Sequence, residues 1–264
     1  PSTSPPSATQ PPTTTPSPTP TSPPTPTPSS TPTPSPTPII IHIEADGSGD
    51  YATLEEGIQN APENATIFLG PGTYQLDELL VIDGMPYISK PLHLVGAGPD
   101  ETEIVSDGTG YVIRFDGEGP FIIEDIAFRH EGNSNAHTVV VSGGDATFIN
   151  CRFSGATDTN MGGLLFSNDA TGLVQDSEAL ENYHGFLVLQ EGQLVIEDSV
   201  ARANSTGISY NDNAEGIVRR NICSDNNAVG IAIGPSARPT LENNTCTNNQ
   251  AGIAYVGAEE TVEG

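Results

Sequence analysis

The side chains best suited to chemistry lie in two loop-like stretches and one later pair. His130 and Glu131 fall in the stretch 129–136, Asp158 falls in 154–161, and Tyr183-His184 follows one repeat further on. A histidine near two carboxylates can exchange protons with a substrate or hold a metal. His130, Glu131, Asp158 and His184 are therefore the candidate ligand-contact residues, and on a solvated loop edge the same residues would do no chemistry. His42 and His93 alternate with Ile and Leu, as surface positions of strands do. The three cysteines have no metal-ligand spacing. Cys223 and Cys246 recur at one repeat position and should stack within disulfide range, although parallel side-chain vectors favour two buried thiols. Cys151 has no counterpart. No catalytic residue, cofactor or defined metal site is assigned. Calcium is expected only as a diffuse counter-ion, because no Asp-x-Asp-x-Asp-Gly loop is present.

Charge narrows the partners. The 264 residues carry 34 Asp and Glu against 8 Lys and Arg, a formal net charge of −26. One lysine and seven arginines cannot neutralise a phosphate backbone, so nucleic acid is excluded. Anionic membrane surfaces are excluded on the same ground. No apolar run reaches the ~18 residues of a membrane-spanning helix. The chain begins at Pro1 with no signal-peptide pattern, as expected of a processed or excised piece.

Residues 1–38 consist of 16 Pro, 20 Ser or Thr, one Ala and one Gln. Such a segment has no apolar surface to bury and favours extended polyproline II. Its composition is that of an O-glycosylated stalk. The expected attachment sites are Thr19, Thr21, Thr25, Thr27, Thr31, Thr33, Ser35 and Thr37, with Asn64 the most accessible of three Asn-x-Ser/Thr sequons.

A second domain spans 39–264. Ile39–Ile43 reads as a strand. Thr53 and Glu56 form a capping box for a short helix that Pro62 ends. Beyond it an apolar pair five residues apart recurs: Ile123/Phe128, Phe148/Phe153, Val174/Ala179, Ile196/Ala201, Val218/Cys223 and Leu241/Cys246. A glycine column follows at Gly163, Gly185, Gly207, Gly230 and Gly252. Apolar residues come one and three positions later, starting Leu164/Phe166 and ending Ile253/Tyr255. Asn182, Asn204, Asn226 and then Asn248 or Asn249 make a polar column. A unit of this length cannot bury its own apolar face, so neighbours must stack in parallel. The pattern predicts an all-β, right-handed parallel β-helix of eight or nine rungs with a short N-terminal capping helix, preceded by the extended stalk.

Residues 45–51, the capped helix and residues 67–74 (Ile-Phe-Leu-Gly-Pro-Gly-Thr-Tyr) resemble the opening of pectin methylesterases and related pectate-lyase-like β-helices. Residues 90–98 fit the next rung of that superfamily. The later Asn-x-Cys and Asn-Asn…Gly-Ile repeats are similar to the parallel β-helix repeat of extracellular bacterial proteins. The resemblance implies the fold and leaves the activity open. The Gly-x-x-Asp-Phe-x-Phe-Gly region of pectin methylesterases is missing, and of the polygalacturonase motifs only His184-Gly185 is approached. Arg219-Arg220 lacks the Arg-x-Pro-x-x-Arg frame of pectate lyases.

The expected function is that of a non-catalytic, extracellular structural or adhesive glycoprotein. The expected assembly is head to tail into a surface fibril, through the β-helix ends and the Ile39–Ile43 strand. Two alternatives stay open: a carbohydrate-binding or sensor module of a cell-surface protein, and a polysaccharide lyase, esterase or hydrolase.

Overall fold

The computed structural model describes residues 39–76, 80–82 and 84–256. The Pro/Ser/Thr segment, with Thr19, Thr21, Thr25, Thr27, Thr31, Thr33, Ser35 and Thr37, lies outside the described residues. The remainder is a parallel β-helix of about nine turns. Its first sheet has nine strands, from Ile40–Ile43 to Arg238–Glu242; the second has eight, from Gly72–Leu76 to Thr245–Thr247. The third has seven, from Gly110–Phe115 to Ala251–Tyr255. Every strand pairs in parallel with its counterpart one turn away.

The interior follows the sequence columns. Phe148 pairs with Ile123 and Val174, and the line continues through Ile196 and Val218 to Leu241. In the third sheet Leu164, Phe186, Ile208, Ile231 and Ile253 stack in register. All but Ile253 are fully buried. Each rung thus completes the apolar environment of the one before it, and burial accumulates along the stack rather than within a unit.

The corners between sheets carry a device that repeats. Asp176, Asp198, Arg220 and Asn243 have φ between 51° and 55°, and each is followed by the residue that turns inward: Ser177, Ser199, Asn221 and Asn244. Asp and Asn tolerate this left-handed conformation better than most side chains. At the next corner Glu181, Ala203, Asp225 and Asn248 play the same part before Asn182, Asn204, Asn226 and Asn249. The polar column therefore ends on Asn249, while Asn248 is the exposed corner residue, its Nδ2 donating to Asp225 Oδ1 at 3.0 Å. Opposite the asparagines runs the glycine column. A Cβ on Gly207 would come within 2.6 Å of the Gly230 carbonyl, so backbone and amide column approach only because the side chain is missing.

The N-terminal end is closed. Leu54–Asn60 is helical, with Thr53 Oγ1 accepting from Glu56 N–H at 3.1 Å and the Glu56 carboxylate reaching back to Ala52 N–H at 3.3 Å. Leu54 and Ile58 seat it on the core, and Gly57 admits the Ile43 side chain beneath it. Ile40–Ile43 is an edge strand, and both of its edges make contacts, the outer one at His42. One pairs with Ala65–Leu69; on the other, Asp50 N–H donates to His42 O at 2.7 Å and Asp50 Oδ2 accepts from His42 N–H at 2.8 Å.

Candidate functional site

The two insertions form where expected, at residues 131–135 and 155–161. They pack on one side of the stack. Ala156 O accepts from Tyr183 N–H at 2.6 Å and Met161 O from His184 N–H at 2.9 Å, so the second loop rests on the strand His184–Val188. Asp158 sits in this loop, half-buried, its carbonyl accepting from Met161 N–H.

His130 is not on a loop edge. It is the last residue of the strand Ala127–His130, in register with the buried Ser106, and only 5% of it is exposed. Its Nε2 lies 3.1 Å from Gly108 O and from Ser134 Oγ, and its Nδ1 lies 3.4 Å from Gly155 O. The ring ties the two loops together, and both nitrogens are engaged. Glu131 is exposed but turned to Arg129, which also takes Glu103 in a two-pronged pair at 2.8 and 2.9 Å. The structure thus gathers the elements carrying the four residues without gathering their functional groups.

A different histidine stands beside His184. His137, which the sequence reading passed over, occupies the strand Ala136–Val141, and its Nδ1 accepts from Gly162 N–H at 2.8 Å. Gly162 in turn pairs with His184. Burial lowers both imidazoles to about 4, His184 further through its proximity to His137. They are neutral at ordinary pH. His184 Nδ1 is buried and has no hydrogen-bond partner. Because His137 accepts at Nδ1, its neutral ring carries the proton on Nε2 and offers no lone pair there. Among the described residues no three His, Cys, Asp or Glu side chains converge on one point.

Among the described residues, every cation but Arg238 has a side-chain or carbonyl partner. Arg152 bridges Asp100 at 2.8 Å and Glu178 at 3.2 Å, and Arg202 shares Glu178 at 2.6 Å. Arg219 and Arg220 both hold the nearly buried Glu197, and Arg220 also takes Asp198 at 2.6 Å. Arg114 faces Asp116. Lys90 Nζ donates to the carbonyls of Gln59 at 2.9 Å and Ala61 at 2.8 Å, at the end of the capping helix. Several of these pairs bridge adjacent rungs on the outer face, where solvent exposure keeps their contributions small. Asn64 is exposed, at φ 61°, immediately before the strand Ala65–Leu69.

The cysteines are all free. Cys223 and Cys246 pair in register on adjacent rungs of the second sheet. Cys151 lies apart at a corner, its Sγ–H 3.4 Å from Ile149 O and 3.5 Å from Ile123 O, and burial pushes its thiol up to about 12.

The chain is 33% identical over 135 residues to a pectinesterase/pectinesterase inhibitor of Ficus pumila var. awkeotsang, covering 45% of this chain and 24% of that protein. Pectinesterase 31 of Arabidopsis thaliana is 28% identical over 145 residues, covering 46% of this chain and 44% of its own length. The chain therefore spans less than half of the curated relatives it matches. The crystal structure of pectate lyase Pel9A superposes with a TM-score of 0.53 at 14% identity, covering 83% of this chain and 78% of that one, a likeness of fold. Residues 99–262, more than half of the chain and nearly all of the regular repeat, match the profile described as "Periplasmic copper-binding protein (NosD)", and the chain belongs to that family.

Proposed function

We propose that the chain is a non-catalytic structural module of an extracellular protein, a stiff β-helical body whose last described rung is the surface through which copies associate. The observation that carries this reading is the abrupt exposure of the interior columns at that rung. Ile231 is fully buried, whereas Ile253, its neighbour one turn on, is 50% exposed; Ile233 is 2% exposed and its neighbour Tyr255 is 73% exposed. Val256, which follows the strand Ala251–Tyr255, is also 50% exposed. Among the described residues this rung is paired on one side and leaves apolar side chains unburied.

The two described ends differ, and that difference favours one geometry. The outer edge of the strand Ile40–Ile43 is engaged at His42 by Asp50, which disfavours this strand as the donor in head-to-tail addition. Two copies meeting end on end through the last rung bury like against like, the isologous arrangement that closes as a dimer. Pro239 lacks an N–H and blunts the outer edge of Arg238–Glu242, which directs pairing to Ala251–Tyr255. The final two rungs, residues 215–256, hold three Arg and three Asp or Glu, so this end is locally neutral within a strongly acidic chain.

The relatives named as pectinesterases raise an enzymatic alternative. Against it, His130 is hydrogen-bonded within the fold, Glu131 is paired with Arg129, and every arginine but Arg238 is paired with a carboxylate. Small-angle X-ray scattering at rising concentration tests the reading. A maximum dimension that grows toward twice the single-body length supports it, and a concentration-independent single body opposes it.

A further inference from the structure

The capping helix covers the first sheet and leaves a strand edge of the second sheet unpaired. Gly72–Leu76 is the last strand of that sheet, and among the described residues it pairs with Thr102–Ser106 alone. Gly72 N–H donates to Glu101 O at 2.8 Å. Successive residues of a parallel strand address opposite neighbours, so Gly72, Tyr74 and Leu76 bond to the next rung. Thr73 and Gln75 turn their N–H and C=O groups the other way, where no backbone partner meets them among the described residues. Four main-chain groups at a two-residue spacing are thus open to one more strand. The outer edge of the first sheet differs, because Asp50 engages it at His42.

A cavity of about 580 Å³ adjoins the unpaired edge. Leu54, Tyr74, Leu76 and Leu80, all buried, make its apolar wall. Tyr74 and Leu76 are the inward residues of the edge strand. A strand laid along it would therefore stack its own inward side chains on them, as each rung does on the one before. The half-buried Glu44 and the exposed Glu55 add two carboxylates, and no Lys or Arg lines the cavity among the described residues. The charge of Glu44 reaches inward: burial first, then Glu44, push the Tyr74 hydroxyl up to about 12.

The edge selects for extended backbone, the cavity for apolar side chains and the carboxylates for a cation. The two end segments of this chain do not match. Residues 1–38 contain no Leu, Ile, Val or Phe, and residues 257–264 carry three Glu.

We propose that the outer edge of Gly72–Leu76 is a docking site for an extended segment of a partner protein, one with alternating apolar residues and a flanking Lys or Arg. The segment adds as a strand, its backbone bonding Thr73 and Gln75 and its apolar side chains entering the cavity. This edge lies at the opposite end of the stack from Ala251–Tyr255, so the proposal is independent of association through that rung.

The probe is a fluorescein-labelled peptide, Lys-Thr-Leu-Thr-Leu-Thr-Lys, titrated with the full chain and followed by fluorescence anisotropy. A lysine at each end serves either strand direction. Saturable binding of one peptide per chain is expected, weakened at least about 10-fold by Gln75→Pro. Proline removes an N–H that the Thr102–Ser106 ladder does not use and is tolerated on edge strands, and circular dichroism checks that the variant folds. Glu44→Gln/Glu55→Gln should weaken binding about 3- to 10-fold and flatten its salt dependence. On the wild-type chain, N-methylating the leucines of one peptide and the threonines of another should abolish binding in one and spare it in the other. Only alternate N–H groups of an added strand face the edge. That comparison decides alone if Gln75→Pro does not fold. The proposal is overturned by no binding at about 1 mM chain, by binding that survives a folded Gln75→Pro variant, or by equal behaviour of the two methylated peptides. A chain dimer that Gln75→Pro dissolves would assign the edge to a second copy and overturn it likewise.

Discussion

Asn226 Oδ1 accepts twice from Asn204, from its backbone N–H at 3.0 Å and from its Nδ2 at 3.1 Å, while Asn226 Nδ2 donates to Ala201 O at 3.0 Å. The same three bonds recur between Asn182 and Asn204, and between Asn226 and Asn249. A column of amides thereby satisfies the backbone of a buried corner that no strand ladder reaches.

Asn226→Ala should be among the most damaging single changes. It strands two donors of Asn204 and the Ala201 carbonyl, each costing about 1–3 kcal/mol when buried without a partner. A loss of roughly 2–5 kcal/mol in urea unfolding is expected. Asn248→Ala, at the exposed corner position, should change stability by less than about 1 kcal/mol. Equal effects at the two positions would remove the distinction between column and corner.

Burial energetics should differ between successive rungs at one column position. Ile231→Asp places an unpaired carboxylate in the core and should cost several kcal/mol. Ile253→Asp, half-exposed, should cost well under half as much in dilute solution. Thermal unfolding of both variants checks this, and similar melting temperatures would contradict the register.

The buried imidazoles set a pH window. An unfolded histidine binds its proton near pH 6.5, whereas His137 and His184 do so at about 4 in the fold. The unfolded chain therefore binds more protons between these values. Stability is full above about pH 6.5 and declines as pH falls toward 4, by up to about 3 kcal/mol per histidine. Comparing urea midpoints at pH 7 and pH 4.5 for the wild type and a His137→Gln/His184→Gln variant isolates this contribution. An unchanged pH dependence in the variant would assign the decline to other groups.

Much of the fold was legible because one chemical property recurs at one period. Leu164, Phe186, Ile208, Ile231 and Ile253 are all apolar and one turn apart, and the stack needs nothing else to be recognised. The second polar column escaped notice because its chemistry is constant while its residue types are not. Ser177 Oγ, Ser199 Oγ, Asn221 Oδ1 and Asn244 Oδ1 each accept from the preceding rung's backbone N–H, at 3.0–3.1 Å. Cys151, the first residue it serves, offers only a thiol. The usable signal was the left-handed Asp, Arg or Asn placed immediately before each member.

The candidate site was less legible. Proximity of the insertions followed from their position in the repeat, but side-chain direction did not. His130 falls one residue inside its strand rather than on the loop, and that single step buries it. His137 looked like any strand residue, because only the third dimension shows Gly162 and His184 beside it.

The acidic charge adds a condition to association through the last rung. At 0.15 M salt the screening length is ~8 Å, short enough for a locally neutral end to approach its twin while the acidic flanks stay apart.

Light scattering of the full chain against concentration, in 0.15 M salt with and without the Ile253→Asp/Tyr255→Asp substitutions, tests association through the last described rung most directly. The wild type should rise from the 27.5 kDa polypeptide mass, plus any attached sugar, toward twice that value and stop, while the variant stays at the single-chain mass. A wild type that remains single-chain at every concentration, or a variant that associates equally well, would contradict the account.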